Sequence, residues 1–346
     1  MKLKTENVIF VMTDGLRWQE VFTGADPALM NKENGAVSDI PALKQTYWRS
    51  TPEARREILL PFLWNTVARR GQIYGNYARG SQVKVTNGFN FSYPGYQETL
   101  CGFADPRINS NNPVPNPNET VFEWLHRKPK YRGSVAAFGA WDVFSAIFNA
   151  RRCGFPVNAG FEPLTEMRSM TPRVELLNRL KAEMPRPWGG EPYDAITYYT
   201  ALEYLTQKKP RLLFLSLGET DEWAHEGKYA QYLDSARRVD IYLKNLWETV
   251  QNMGQYRNKT TLIVAVDHGR GEAPQAWKGH GAQVKGSENI WMAFLGPDTP
   301  PLGERTGGAV VTQNQIAATL AAFLGEDYTA AMPKAGKPID EVIGTR

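Results

Sequence analysis

Three short runs of uninterrupted apolar residues stand out from an otherwise mixed chain. They are residues 7–13 (NVIFVMT), 211–217 (RLLFLSL) and 261–266 (TLIVAV). A strand with one wet face alternates apolar and polar side chains. A run without alternation predicts a strand buried on both faces, as in a parallel sheet covered by helices. The runs end at Asp14-Gly15, at Gly218 with an acidic segment behind it, and at Asp267-His268-Gly269. Residues 134–138 (SVAAF) make a weaker fourth candidate.

Between these runs the spacing becomes helical. Thr51-Pro52-Glu53 supplies an N-cap, a proline at the first helical position and an early acid. A helix is predicted from there toward Arg70, with Gly71 past its end and Pro61 kinking or splitting it. Further helices are predicted over 194–205, over the long amphipathic stretch 229–253 and over 313–324, the last two followed by Gly254 and Gly325. Helices interleaved with buried strands predict an α/β fold with a mostly parallel central sheet flanked by helices. Residues 24–48, 105–119 and 184–192 are rich in Asn, Pro or Gly and read as surface loops or caps over a cleft. No linker interrupts the chain. The expectation is one catalytic domain over 1–346, with cap insertions at about 24–60 and 105–210.

Composition narrows the function. Forty basic and 36 acidic residues leave a net charge of only +4, and no basic run accompanies it, so duplex nucleic acid is not an expected partner. No apolar stretch approaches the roughly 18 residues of a membrane span. Residues 1–10 lack the apolar core of a leader peptide, which points to the cytoplasm, or to a periplasmic or secreted protein whose leader has been removed. Cys101 and Cys153 are too few for a disulfide scaffold. Two free thiols are expected, with one bridge as the alternative in an oxidising compartment. Nothing in the pattern speaks to oligomeric state.

The candidate chemistry lies in the histidines. There are four, and His225, His268 and His280 sit beside acids at or near the predicted strand ends. In open α/β sheets ligands bind outside the carboxyl ends of strands, and Asp14, Asp221 and Asp267 each follow one of the three best runs. Asp221 and His225 are four residues apart. On a helix that spacing puts both on one face, as a zinc-type pair or, equally, as an exposed surface pair. Asp267 and His268 are adjacent and can face one site only if the chain turns at Gly269. His280 lies between two glycines that leave room for an ion, although a mobile surface loop would look the same. His126, in the helical run VFEWLHR, reads as a surface or partly packed residue. Asp14 alone would pass for a turn residue. Each grouping alone has an ordinary explanation; their conjunction does not.

The segments Val11-Met-Thr-Asp-Gly-Leu16, Ser92-Tyr-Pro-Gly-Tyr96, Asp221-x-x-x-His225, Val266-Asp-His-Gly269 and Lys278-Gly-His-Gly281 occur in that order. The ordered set resembles the alkaline phosphatase superfamily, most closely its type I phosphodiesterase/nucleotide pyrophosphatase-like branch. The resemblance implies a phosphoester hydrolase, phosphatase or phosphodiesterase, using two zinc ions, with manganese or iron also suited to such ligands. One ion would be held by Asp221, His225 and His280. The other would be held by Asp14, Asp267 and His268, with the nucleophile Ser92 as a further ligand. That branch usually carries threonine at the nucleophile; Ser92 keeps the hydroxyl. The sulfatase branch carries Arg two residues after the motif's proline, where this chain has Tyr96, which counts against formylglycine chemistry. The resemblance also implies an asparagine contacting a phosphoryl oxygen, for which Asn111 is taken over Asn112. Arg17 and Lys278, beside ligands, are candidates to face a small-molecule phosphoester. Trp18, Trp141, Trp223 and Trp277 are candidate pocket walls or core. The implied route runs through a phosphoserine on Ser92. Sulfate-ester or phosphonate hydrolysis on the same scaffold is the alternative, and a non-catalytic binding protein that kept the fold is the other.

Overall fold

The computed structural model describes residues 3–344. Among them, eight strands form one sheet in the spatial order Gly303–Glu304, Gln72–Tyr74, Met292–Leu295, Thr260–Val266, Asn7–Thr13, Leu212–Leu217, Val135–Gly139, Val157–Ala159. Neighbours run parallel except Met292–Leu295, which is antiparallel to both its partners. The three apolar runs supply the three adjacent strands at the centre, and every residue of those strands is buried. Their register places the site. Thr13 lies opposite Leu217 on one side and Val266 on the other, so all three strands end abreast. Asp14, Gly218 and Asp267 therefore leave the sheet side by side.

Large aromatics fill one face. Phe214 contacts Phe10 edge-on at 5.6 Å, Phe144 at 5.5 Å and Phe148 at 5.1 Å between ring centroids. The helices Asp194–Lys208 and Tyr229–Asn252 flank the sheet, and Ile316–Phe323, entered through the 3₁₀ turn Gln313–Gln315, is buried along its whole length. No helix of the described residues is long and apolar enough to cross a membrane.

The helix opened by Thr51 is split. Thr51 Oγ1 accepts the N–H of Ala54, and the helix runs over Pro52–Leu59. It resumes as a π-helical turn, Leu63–Val67, and a short helix, Ala68–Arg70. Pro61 has no N–H to give. The next two donors, Phe62 and Leu63, reach the two carboxylate oxygens of Asp240 at 2.8 Å each, from the facing helix Tyr229–Asn252. Asp240 thus caps the resumed segment from outside it.

The described residues also bear on the expected caps, on the two thiols and on His126. The range 105–210 contributes Val135–Gly139 and Val157–Ala159 to the main sheet, so it is not cap throughout. The range 24–60 contains the helices Lys32–Gly35, Ile40–Tyr47 and Pro52–Leu59. No bridge joins Cys101 to Cys153. Both thiols are free and buried, Cys101 Sγ meeting Asn116 Nδ2 at 3.7 Å and Cys153 Sγ meeting the Phe155 carbonyl at 3.4 Å. His126 is partly packed, its ring 5.7 Å from Phe155.

Burial pushes the Asp240 carboxyl up to about 6, although the two N–H donors oppose the shift. The folded chain therefore holds this proton more tightly than the unfolded one. The resulting stability is full below about pH 4 and is lost as pH rises through 6. Relative to Asp240→Asn, the native protein should lose up to about 3 kcal/mol across that window. Denaturant melts of both proteins at stepped pH measure the slope, and parallel curves would refute the assignment.

Candidate metal centre

The ends of the three central strands build the site. Asp14 follows Asn7–Thr13, and Asp267-His268 follows Thr260–Val266. After Leu217 the chain enters the helix Glu219–His225, which puts Asp221 and His225 on one face, Oδ2 to Nε2 at 2.9 Å. The chain turns after Thr260–Val266, so Asp267 and His268 both face the crevice, Oδ2 to Nε2 at 3.3 Å. His280 arrives on the loop behind the turn Ala276–Lys278.

Two of the three imidazoles are held from behind. His268 Nδ1 lies 2.9 Å from the Gly269 carbonyl, and His280 Nδ1 lies 3.2 Å from that of Asn90. A carbonyl only accepts, so Nδ1 carries the hydrogen and Nε2 points into the site. His268 Nε2 lies 3.2 Å from Asp14 Oδ1 and 3.3 Å from Ser92 Oγ. His280 Nε2 lies 3.0 Å from His225 Nε2 and 3.7 Å from Asp221 Oδ1. The His268 and His280 rings stack at 3.8 Å. All six expected metal-binding side chains and Ser92 are thus brought together. Two sets have ligand atoms within 4.8 Å of one another: Asp14, Asp267 and His268, and Asp221, His268 and His280. The first matches the expected grouping. In the second His268 stands where His225 was expected, so His268 borders both sets.

Ser92 opens the helix Ser92–Cys101, all of whose residues are buried. The loop before it is tied down by the buried Glu98, which accepts the N–H groups of Thr86 at 3.0 Å and Asn87 at 2.9 Å. Gly95 lets this helix sit on the strand end, because a Cβ there would lie 2.4 Å from the Asp267 carbonyl oxygen. Tyr96, one turn on from Ser92, donates its hydroxyl to Asp14 Oδ2 at 3.0 Å and meets Ser216 Oγ at 2.8 Å. Asn111 Oδ1 accepts the N–H of Tyr93 at 3.0 Å, which places this exposed side chain against the first turn.

The crowding of charge is visible in the proton affinities. Burial and the neighbouring Asp14 hold the Asp267 carboxyl well above the usual range. Burial opposes the charge on His268, yet Asp267 and Asp14 outweigh it and lift the imidazole to about 9. Burial also opposes the charge on Asp221, but Arg270 and His280 pull it well below its ordinary value. His280 is driven down to about 2 by burial and by the cationic His268 beside it. Asp14 Oδ1 and Asp267 Oδ2 are buried without a hydrogen-bond partner. Two orphaned carboxylate oxygens and inward imidazole nitrogens form a donor set that fits a divalent cation. A cation would meet the same deficit that otherwise keeps a proton on His268.

Three further residues belong to this neighbourhood. Arg270 is buried and donates to Asp221 Oδ1. Glu191 is buried, and burial together with Glu222, Asp14 and Asp221 raises its carboxyl well above the ordinary range. Glu222 is raised to about 7 by burial and by Asp221. Arg270 and Glu222 each stand one or two residues from a ligand candidate, which was signal enough. Glu191 comes from the Pro- and Gly-rich loop 184–192, whose pattern marked a loop and no chemistry.

Arg17 does not face substrate. It is fully buried, its Nε 2.9 Å from Glu20 Oε2 and its Nη1 3.3 Å from the Gly271 carbonyl. Trp277 is core, its Nε1 donating to the Asn34 carbonyl at 3.1 Å and its ring against Tyr229 and Tyr232. Trp18, Trp141 and Trp223 are half-buried against the core, and Lys278 is exposed.

A comparison with curated protein sequences finds no match. Among solved structures, the chain is similar to the alkaline phosphatase PafA, with TM-score 0.63 and 11% identity over 99% of both chains. It is also similar to the phosphonate monoester hydrolase SpPMH from Silicibacter pomeroyi, with TM-score 0.58 and 15% identity over 99% of this chain and 78% of that one. The 2-O GAG sulfatase BT1596 gives TM-score 0.58 and 12% identity over 98% and 74%. At these identities the likeness is one of fold. The model of the type I phosphodiesterase/nucleotide pyrophosphatase family matches residues 22–285, a span that holds Ser92, Asp221, His225, Asp267, His268 and His280 and begins after Asp14. A match over most of the chain, with the fold and the strand-end cluster beneath it, means that the chain belongs to the type I phosphodiesterase/nucleotide pyrophosphatase family, hydrolases of the alkaline phosphatase superfamily.

Proposed function

We propose that this protein hydrolyses small-molecule phosphoesters by attack of Ser92 on phosphorus, at a centre that takes two zinc-type ions. The observation that carries the reading is the position of the Ser92 hydroxyl. It opens a buried helix and faces His268 Nε2 at 3.3 Å, beside the two carboxylates whose inward oxygens lack partners.

In this reading Asp221, His225 and His280 hold one ion. Asp14, Asp267, His268 and Ser92 hold the other. Bound there, the two cations supply the charge neutralisation that an in-line displacement needs at its attacking and leaving oxygens. The rest is the work of the chain. Ser92 gives up its proton to solvent, its oxygen forms a bond to phosphorus, and the ester P–O bond breaks, the leaving oxygen taking a proton from solvent to depart as the alcohol. Water then cleaves the phosphoserine and restores the hydroxyl. The Asn111 carbonyl is committed to the Tyr93 N–H, so its amide hydrogens are left for a phosphoryl oxygen. Tyr96, through Asp14 Oδ2, leaves Oδ1 turned toward His268. A hydroxyl at that position gives Tyr96 a different task from the arginine of the sulfatase motif, which weighs against sulfate esters. The intact nucleophile weighs against a binding protein that has lost its chemistry.

Protein purified without chelator should contain two zinc-type ions per chain by elemental analysis. A well-folded chain that stays metal-free in excess zinc, with unchanged melting, would exclude the centre.

Ser92→Ala should lower turnover by several orders of magnitude while the fold and most of the metal affinity remain, since three protein ligands stay at that ion. Ser92→Thr should keep appreciable activity. Acid quench of the native enzyme with substrate should trap a phosphoryl group on Ser92. Near-native turnover in Ser92→Ala would instead favour direct attack by water.

A further inference from the structure

Arg270 follows the Asp267-His268-Gly269 segment and has no part in the chemistry proposed above. Its side chain is wholly buried. A buried guanidinium is tolerated only when its donors are used. Here they are spent on three places that all carry the site. Nη1 donates to Asp221 Oδ1, Nε donates to the Trp277 carbonyl at 2.9 Å, and Nη2 donates to the Lys278 carbonyl. Asp221 belongs to the helix Glu219–His225, and Trp277 and Lys278 lead directly into His280. Arg270 itself lies two residues beyond His268.

Both oxygens of Asp221 are thereby fixed in place. Oδ1 accepts from Arg270 and lies 3.7 Å from His280 Nε2, while Oδ2 faces His225 Nε2 at 2.9 Å. The chain makes room for this pair at Gly15. Its φ is +59°, and a Cβ there would lie 2.5 Å from Asp221 Oδ1 and 2.8 Å from Arg270 Nη1. The glycine next to Asp14 thus serves the contact between Asp221 and Arg270 as well as its own turn.

We propose that Arg270 is a positioning residue for the ion of Asp221, His225 and His280: it joins the three segments that carry those ligands to His268, and it fixes the orientation of the Asp221 carboxylate. The inference rests on the two-ion reading above. A planar fork with several fixed donors can span three acceptors at once, which a lysine ammonium on a flexible stem cannot. Groups that hold metal ligands from behind typically tune affinity by roughly 10- to 100-fold. The ion of Asp14, Asp267 and His268 has its own supports, the Tyr96 hydroxyl on Asp14 and the Gly15 N–H on Asp267 at 3.2 Å.

The test is zinc binding by the full chain, measured by competition with a chromogenic chelator, with cobalt(II) absorption as a second readout. Arg270→Lys keeps the charge and removes the fork. One of its two ions should bind roughly 10- to 100-fold more weakly, with an altered cobalt spectrum, while the other keeps its affinity. Native affinity for both ions in Arg270→Lys overturns the proposal. If that variant does not fold, Arg270→Gln, which keeps a planar amide at the position and gives up the three-way fork, is measured in its place. It should weaken the same ion, and unchanged affinity there overturns the proposal equally. A wild-type chain that takes up no ions fails the two-ion reading itself. A wild-type chain that takes up two, alongside variants that do so equally well, fails only the role of Arg270.

Discussion

The organising constraint is the mutual repulsion of carboxylates held out of water at the ends of neighbouring strands. Parallel register puts Thr13, Leu217 and Val266 abreast, so Asp14, Asp221 and Asp267 gather within a few residues of them. Buried acids at such range cannot all stay charged without countercharge. The raised Asp267 carboxyl and the raised His268 imidazole are two expressions of that conflict. The surrounding polar ties follow one rule. Tyr96 takes the Oδ2 of Asp14, Gly15 takes the Oδ1 of Asp267, and backbone carbonyls take the Nδ1 atoms of His268 and His280. Each tie uses the atom that faces away from the centre and leaves the inward one free.

The same economy appears in the walls. Arg17 meets Glu20, and Glu20 also accepts the hydroxyls of Tyr229 at 3.0 Å and Tyr232 at 3.4 Å. On the other flank Glu219 accepts the N–H of Asp194 at 2.9 Å and the hydroxyl of Ser235 at 3.0 Å, and pairs with Arg238. These closed networks fix the start of the helix Trp18–Thr23 and of the helix Glu219–His225. The Glu20 and Glu219 carboxylates, bonded at both oxygens by protein partners, have nothing left to offer an ion. The incomplete bonding at Asp14 and Asp267 is what sets the centre apart from them.

What the sequence made legible follows from how strongly each feature is written locally. The buried runs at the sheet's centre read correctly because strands covered on both faces leave no polar positions. The helix at Thr51 and its break at Pro61 read correctly because capping and the missing N–H are local chemistry. Gln72–Tyr74 and Val157–Ala159 went unread because three residues carry no period. The helix Pro172–Glu183 shows the same Thr-Pro opening as the one at Thr51, with Thr171 Oγ1 accepting from the Val174 N–H at 3.3 Å, so its start is written in the same local chemistry. Arg17 misled because nearness to Asp14 in sequence says nothing of direction, and the helix it caps turns it inward. Glu191 was illegible because only tertiary structure brings its loop over Gly218, where a Cβ would stand 2.8 Å from Glu191 Oε2.

The placement of the first strand has a consequence for how the protein comes into being. Asn7–Thr13 is the central strand, yet its two neighbours are Leu212–Leu217 and Thr260–Val266. During synthesis this buried, mostly apolar strand is made before either of its neighbours and waits for both. Pairings of such sequence separation are slow to form and leave an open edge in the meantime. The nascent chain therefore carries the middle strand of its sheet unpaired until the strands on either side have been made.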